Sequence, residues 1–207
     1  FIPALRRTLR LSSAARCSPF VGTDWTQDDV KQEFNGGIVR FDAKYIGEPK
    51  ILELTAAKPQ DSANLANYYQ PLLFPGPRVG KWEVRQNYLI DVRRIPSERA
   101  GYCYGKRMLY VDKQDLMQTW CDLYDSSLKL WKPFSFQVIA HNVPNIGPVA
   151  YTGDYMVGIW DIESDHASAW IAHSPYGANQ QCVNMNGVNY TNATTYSSIA
   201  GLSLIQR

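Results

Sequence analysis

A chain of 207 residues is long enough for one large domain or two small ones, and it can bury roughly 70% of the surface its unfolded form exposes. Its 21 basic and 19 acidic residues leave a formal charge of +2, which argues against a nucleic-acid binder. No run of about 18 apolar residues marks a membrane-spanning helix. Aromatic residues make up 13% of the chain, with 6 Trp and 13 Tyr, a bias that suits β-structure with broad apolar surfaces.

The first twenty residues carry Arg6, Arg7, Arg10 and Arg16, with no acid before Asp24. Such a segment suits an organellar transit peptide, whereas the missing apolar centre makes a secretory signal a poorer fit. Because Phe1 is not an initiator Met, the preferred expectation is a processed or truncated chain. Asp24 to Phe34 predicts a short helix, with Thr26 as N-cap and Asp28 and Asp29 in the first turn. Asn35-Gly36-Gly37 would end it. A strand is expected over 38–46, then a reversal at Gly47-Glu48-Pro49 and a returning strand from Lys50 to Leu54. Between Lys58 and Gly80, four prolines (Pro59, Pro71, Pro75, Pro77) forbid regular structure over most of the length, so this stretch is expected to be a functional lid or wrap-around arm, or else mobile.

From Gly80 to Ile139 the chain reads as an antiparallel meander. Trp82, Val84, Tyr88, Ile90 and Val92 alternate with Lys81, Glu83, Arg85, Asn87, Asp91 and Arg93, so one row should face apolar material and the other water. The following runs are Tyr102 to Asp112, Leu116 to Tyr124 and Leu128 to Ile139, separated by turn-forming stretches at 112–115 and 125–127. A Pro/Gly/Asn connection is expected over His141 to Pro148, then a short strand from Tyr155 to Ile162. The fold class is therefore mainly β, an antiparallel meander with few short helices and long loops. One domain is expected over 1–207: a basic segment and short helix (1–33), the sheet with its arm (34–163) and a polar tail (164–207).

The four cysteines, Cys17, Cys103, Cys121 and Cys182, contain no C-x-x-C pair and so support neither a zinc ribbon nor a thioredoxin-type site. Two disulfides with three possible pairings remain open beside buried free thiols. A tight turn at 113–114 would place Cys103 opposite Tyr124, not Cys121. His166 with Asp161 and Asp165 lacks metal-ligand spacing, so His141, His166 and His173 read as surface or loop residues and no metal is expected. Asp112, Asp115, Asp122 and Asp125 cluster on one hairpin, but without calcium-loop chemistry they read as turn carboxylates. Neither G-x-S-x-G nor a phosphate-binding glycine loop occurs, and no catalytic residue or cofactor is expected. The acceptor triplets at Asn189 and Asn192 would mark surface only in a eukaryotic secreted protein.

The succession F-N-G-G-I-V-R-F-D-A-K-Y-I-G-E-P-K (Phe34 to Lys50), K-W-E-V-R (Lys81 to Arg85), Y-G-K-R-M-L-Y-V-D-K-Q-D (Tyr104 to Asp115) and D-L-Y-D-S-S-L-K-L-W-K (Asp122 to Lys132) resembles the C-terminal half of a Gram-negative domain-of-unknown-function family, number thirteen-twenty-nine. Gly158-Ile159-Trp160-Asp161-Ile162 resembles a later strand of that family. The similarity runs from about Arg6 to Ala172. Lys81 and Gln86 depart from the usual Arg and His, Leu128 stands where a turn glycine is common, and the family's N-terminal portion has no counterpart. The resemblance implies a curved sheet forming a LolA/LolB-like incomplete barrel around a hydrophobic cavity, a periplasmic location, and handling of lipid-like cargo between membranes. It also implies association with membrane exporters or outer-membrane proteins, and no enzymatic activity.

On that reading the apolar cavity wall is Trp82, Tyr88, Ile90, Tyr110, Trp120, Leu130 and Phe136, with Glu83, Arg85, Asp91 and Lys129 turned to water. The plain alternative makes the same residues core. Arg85, Arg93, Arg94, Arg99, Lys106 and Arg107 read as a solvated strand face, with contact to anionic headgroups as the alternative. The expected function is a non-covalent carrier of lipid or another hydrophobic small molecule. The alternative is an assembly subunit that packs its sheet face and arms on a protein partner or on the missing N-terminal portion.

Overall fold

The computed structural model describes residues 16–19, 22–30, 37–58, 64–143, 145 and 147–171, all within one compact unit spanning 13–175. The segment around Arg6 to Arg10, the tail from residue 172, Cys182, His173 and both Asn acceptor triplets lie outside the described residues.

Among the described residues the one α-helix, α1, is a single turn over Gln27–Val30. Thr26 precedes it, and its backbone N–H donates to Asp29 Oδ2 at 2.7 Å, the backward half of a capping box. The rest of the predicted helix, residues 31–34, and the Asn35-Gly36 part of its expected stop lie outside the described residues.

Ten strands follow among the described residues: β1 (Phe41–Gly47), β2 (Lys50–Ala57), β3 (Tyr68–Tyr69), β4 (Phe74–Pro75), β5 (Gly80–Arg94), β6 (Lys106–Asp112), β7 (Gln118–Tyr124), β8 (Leu130–Val143), β9 (Gly147–Asp161) and β10 (His166–Ile171). Eight form one antiparallel sheet in the order β1-β5-β6-β7-β8-β9-β10, with β2 also paired to β5. Among the described residues of the arm, the prolines leave the two-residue ladder of β3 and β4 between short turns.

Four expectations need correction. Gly47-Glu48-Pro49 does not reverse the chain, because β1 pairs with Leu89–Arg94 and β2 with Gly80–Gln86, so the two run on as one bulged strand along β5. The β6–β7 turn is longer than a tight turn at 113–114: Tyr124 pairs with Lys106, Cys121 pairs with Leu109, and Cys103 lies before β6 begins. The stretch from His141 to Pro148 is mostly strand, since Val143 pairs directly with Gly147 and β9 reaches fifteen residues. Finally, β10 occupies the start of the supposed polar tail and pairs along β9.

Direct partners in an antiparallel ladder share a face, so the register sorts the side chains. One face carries Val92, Leu109, Cys121, Leu123, Phe134 and Ile159, which form the main core with Trp25, Cys103 and Tyr104. Trp25 meets Phe134 edge to face at 5.4 Å, so the segment before α1 covers this face. A disulfide joins Cys17 to Cys103, whose Cα atoms are 5.1 Å apart, and ties that segment to the loop after β5; Cys121 stays a buried thiol. A second cluster of Leu54, Ala57, Tyr68 and Val79 seats the arm against the far end of β5. The sheet curls far enough to bring β2 near β8 without closing into a barrel.

Candidate functional site

The opposite face of the sheet is built differently. Leu89, Tyr110, Trp120, Ser135 and Gly158 lie in one row across β5 to β9, and Asp91, Met108, Asp122 and Pro133 in the next. Most of these side chains are neither buried nor fully exposed. Trp160 folds over Gly158, where an added Cβ would sit 2.7 Å from the indole. Its ring lies 5.7 Å from Trp120 and stacks on Phe74 of the arm at 4.5 Å. Its indole N–H donates to the Leu72 carbonyl, so one end of the strip is already capped by the arm. Tyr110 donates from its hydroxyl to Asp122 Oδ2 at 3.1 Å. Burial raises the Asp122 carboxyl above the usual carboxylate range and raises the Tyr110 phenol as well. At the other margin Lys106 Nζ sits 3.8 Å from the Tyr124 ring.

Toward β2 the same face becomes polar. Glu53, 1% exposed, accepts a hydrogen bond from the Asn87 amide, and burial holds its carboxyl above the ordinary range. Arg85 grips Asp112 with two bonds, at 2.7 and 3.1 Å. Burial works against ionisation of Asp112, but Arg85 and the amides of Gln114 and Asp115 outweigh it and leave the carboxyl below its ordinary range. The arrangement is thus an aromatic strip with one weakly acidic anchor, flanked by a closed polar cluster. It can stack apolar or ring groups and donate or accept one hydrogen bond; among the described residues it pairs no nucleophile with a base.

The seven residues expected to form one wall do not share a face. Tyr88, Ile90 and Phe136 lie with the core, and Ile90 and Phe136 pack directly on its buried cluster. Tyr110 and Trp120 lie together on the opposite face. Leu130 pairs with Tyr124 beyond a bulge, and Trp82 belongs to the second cluster. Of the residues expected in water, Lys129 is exposed, whereas the Arg85 and Asp91 side chains are only 19% and 13% exposed. Arg94 and Arg107, expected on a solvated strand face, are buried beside aromatic rings. Phe74, Trp160 and Asp122 escaped the sequence reading as wall residues. The aromatic Phe74 inside a proline-rich arm was the available signal for the first. His166, weighed as a metal ligand, bonds through Nδ1 to Asp24 Oδ2 at 2.7 Å.

The chain matches the family of proteins of unknown function DUF1329 over residues 1–192. It belongs to that family. Two solved structures share its fold. One, described as a candidate outer membrane lipoprotein-sorting protein domain from Vibrio parahaemolyticus, has a TM-score of 0.56 at 12% identity, covering 84% of this chain and 56% of that one. The other, a DUF1329 family protein from Desulfovibrio piger, has a TM-score of 0.55 at 14% identity, covering 84% of this chain and 55% of that one. The chain therefore spans little more than half the length of either structure. No curated protein matches it. The mainly β, LolA-like architecture expected from the motifs is the architecture observed.

Proposed function

We propose that the chain is a periplasmic, non-covalent carrier of lipid-like or other hydrophobic molecules, working between the inner and outer membranes. The observation that carries this reading is the half-buried pair Tyr110 and Trp120, continuing from the buried Trp160 on the face of an unclosed sheet, opposite the face that holds the main core. Each methylene that a cargo buries there contributes roughly 0.8 kcal/mol. The fold this chain shares with a domain described as lipoprotein-sorting is consistent with that class of cargo.

The test is solvent extraction of the purified protein followed by mass spectrometry, with titration of a fluorescent fatty-acyl probe. Co-purified lipid and a Trp120→Ala variant that stays folded but loses probe binding are the expected results. Protein free of lipid that also ignores the probe would sink the proposal. A second reading, an assembly subunit, is favoured by the outward apolar side chains Tyr45, Ile46, Leu52 and Val84, each between 47% and 67% exposed along the β1–β2 run and β5. Light scattering separates the two: a lipid-loaded monomer supports the carrier, and an obligate oligomer supports the subunit.

A further inference from the structure

The sheet ends differently at its two margins. At one, the β10 side chains His166 and Ser168 both hold Asp24 Oδ2 at 2.7 Å, so the segment before α1 is fastened to that margin. At the other lies β1, whose five central residues, Asp42 to Ile46, are all exposed. Among the described residues no strand runs along its outer side. An edge strand of this kind is a template for further pairing. Backbone parity decides which of its groups face outward. The Ile95 N–H donates to the Arg40 carbonyl at 3.1 Å, and Arg40, Asp42 and Lys44 form one alternate set opposite Ile95, Arg93 and Asp91. In an antiparallel ladder that set bonds to the partner strand, so the N–H and C=O groups of Ala43 and Tyr45 point away from β5.

The side chains along this edge are complementary to themselves. Asp42 lies across from Arg93 and Lys44 across from Asp91, but Arg93 and Asp91 hold each other at 2.8 Å, and Asp42 and Lys44 are exposed. Two copies placed edge to edge about a two-fold axis at Ala43 set each Asp42 opposite Lys44 of the other copy, a pairing made twice. An axis at Asp42 or at Lys44 would set like charges face to face. All three axes use the outward groups of Ala43 and Tyr45, so charge selects the one at Ala43. Asp42 and Lys44 then occupy the non-hydrogen-bonded positions, where opposed side chains stand closest. A lysine on an edge commonly keeps other strands away, but Asp42 cancels that guard for a strand of the same sequence. Exposed apolar side chains gather at the same place: Tyr45 and Ile46 on β1, and Ile38 and Val39 in the turn before it.

We propose that the outer edge of β1 pairs with the same edge of a second copy of this chain, joining two sheets through a two-fold axis at Ala43. The inference rests on the assembly reading and names its partner. The pairing leaves Tyr110 and Trp120, on β6 and β7, uncovered.

Sedimentation equilibrium of the purified chain, at low ionic strength and across a range of concentrations, tests it. The native chain is expected to form dimers. Asp42→Lys and Lys44→Asp should each weaken dimerisation at least about tenfold with unchanged circular dichroism. Each single variant carries two like charges on the edge, so mixing the two in equal amounts should restore a dimer. Combining both substitutions in one chain should restore it as well. A native monomer at every concentration overturns the self-pairing and leaves the assembly reading only with an unlike chain. A native dimer that neither variant weakens, or one whose weakened variants do not recover on mixing, overturns this edge as the contact while the assembly reading stands.

Discussion

Cutting the bond between Cys17 and Cys103 gives the most direct test of how the core is closed. The two residues are 86 positions apart, so the bond removes the freedom of a long loop from the unfolded chain. In the loop-closure description that restriction amounts to about 4–5 kcal/mol at 25 °C, an upper figure because residual structure in the unfolded chain reduces it. It is a large share of the roughly 5–15 kcal/mol that a domain has in total. Since ~1 kcal/mol shifts Tm by about 2–4 °C at this size, Cys17→Ser should lower Tm by at least about 5 °C. The loss should come with exposure of Trp25, which the tethered segment seats against Phe134. Thermal denaturation of native, reduced and Cys17→Ser protein, with Trp emission as a second probe, makes the measurement. Cys121→Ser, at a buried thiol outside the disulfide, serves as the control that leaves the bond intact. Equal Tm values for native and Cys17→Ser protein would refute the reasoning, as would a cross-linked peptide map lacking the Cys17–Cys103 pair.

Leu128 adopts a φ of 65°, so Leu128→Gly should stabilise the chain by up to ~1 kcal/mol, read as a higher denaturation midpoint. At Gly80 an added Cβ would lie 2.1 Å from the Ala56 carbonyl oxygen, and Gly80→Ala should cost about 1–3 kcal/mol in the same assay. Burial raises the Glu53 carboxyl, so the folded chain holds that proton to higher pH than the unfolded one. Its effect is a loss of stability as pH rises from the ordinary carboxylate range through the raised folded value, and Glu53→Gln should flatten that fall in a series of Tm values against pH. Ile90→Asp should unfold the chain, visible by circular dichroism, because Ile90 packs on the core and an unpaired buried charge costs several kcal/mol.

The meander was legible because its strands alternate and its turns carry residues with a turn mechanism. Asp112 accepts from the Gln114 and Asp115 amides, and Asp125 from the Lys129 amide, so the aspartates read as turn formers do form the turns. Leu128 was legible as an irregularity, since it stands at a left-handed position where glycine is the unstrained choice. The Gly47-Glu48-Pro49 stretch was misread because the same residues suit a reversal and a bulge, and only the partner strand distinguishes them. The candidate strip was misassigned for a related reason. β5 shifts its buried side along its length: in one and the same row Val84 is 67% exposed while Val92 is 2% exposed. A single row extrapolated along the strand therefore crosses from one environment to another, and the charges of Arg85, Asp112, Arg94 and Lys132 end up inside because each finds an ionic partner, a carbonyl or an aromatic ring there.

The two faces differ in what they have left to gain. On the core face, even the buried Lys132 is satisfied, donating to the Asp24 carbonyl at 2.8 Å beneath the segment that carries Trp25. Across the sheet, Tyr110 and Trp120 remain only partly covered, although aromatic side chains of their size bury about 150–250 Å² each when enclosed. At roughly 25 cal/mol per Å² of apolar surface, covering what remains exposed on two such rings is worth a few kcal/mol. Trp160 shows how the chain realises that gain where it can: Phe74 and Leu72 close over it and leave it 2% exposed. The arm stops there, and the ring beside it stays partly open. A ligand laid along Trp120 and Tyr110 would continue the stack that Phe74 begins, with Asp122, raised toward its neutral form by burial, as a hydrogen-bonding group at low charge.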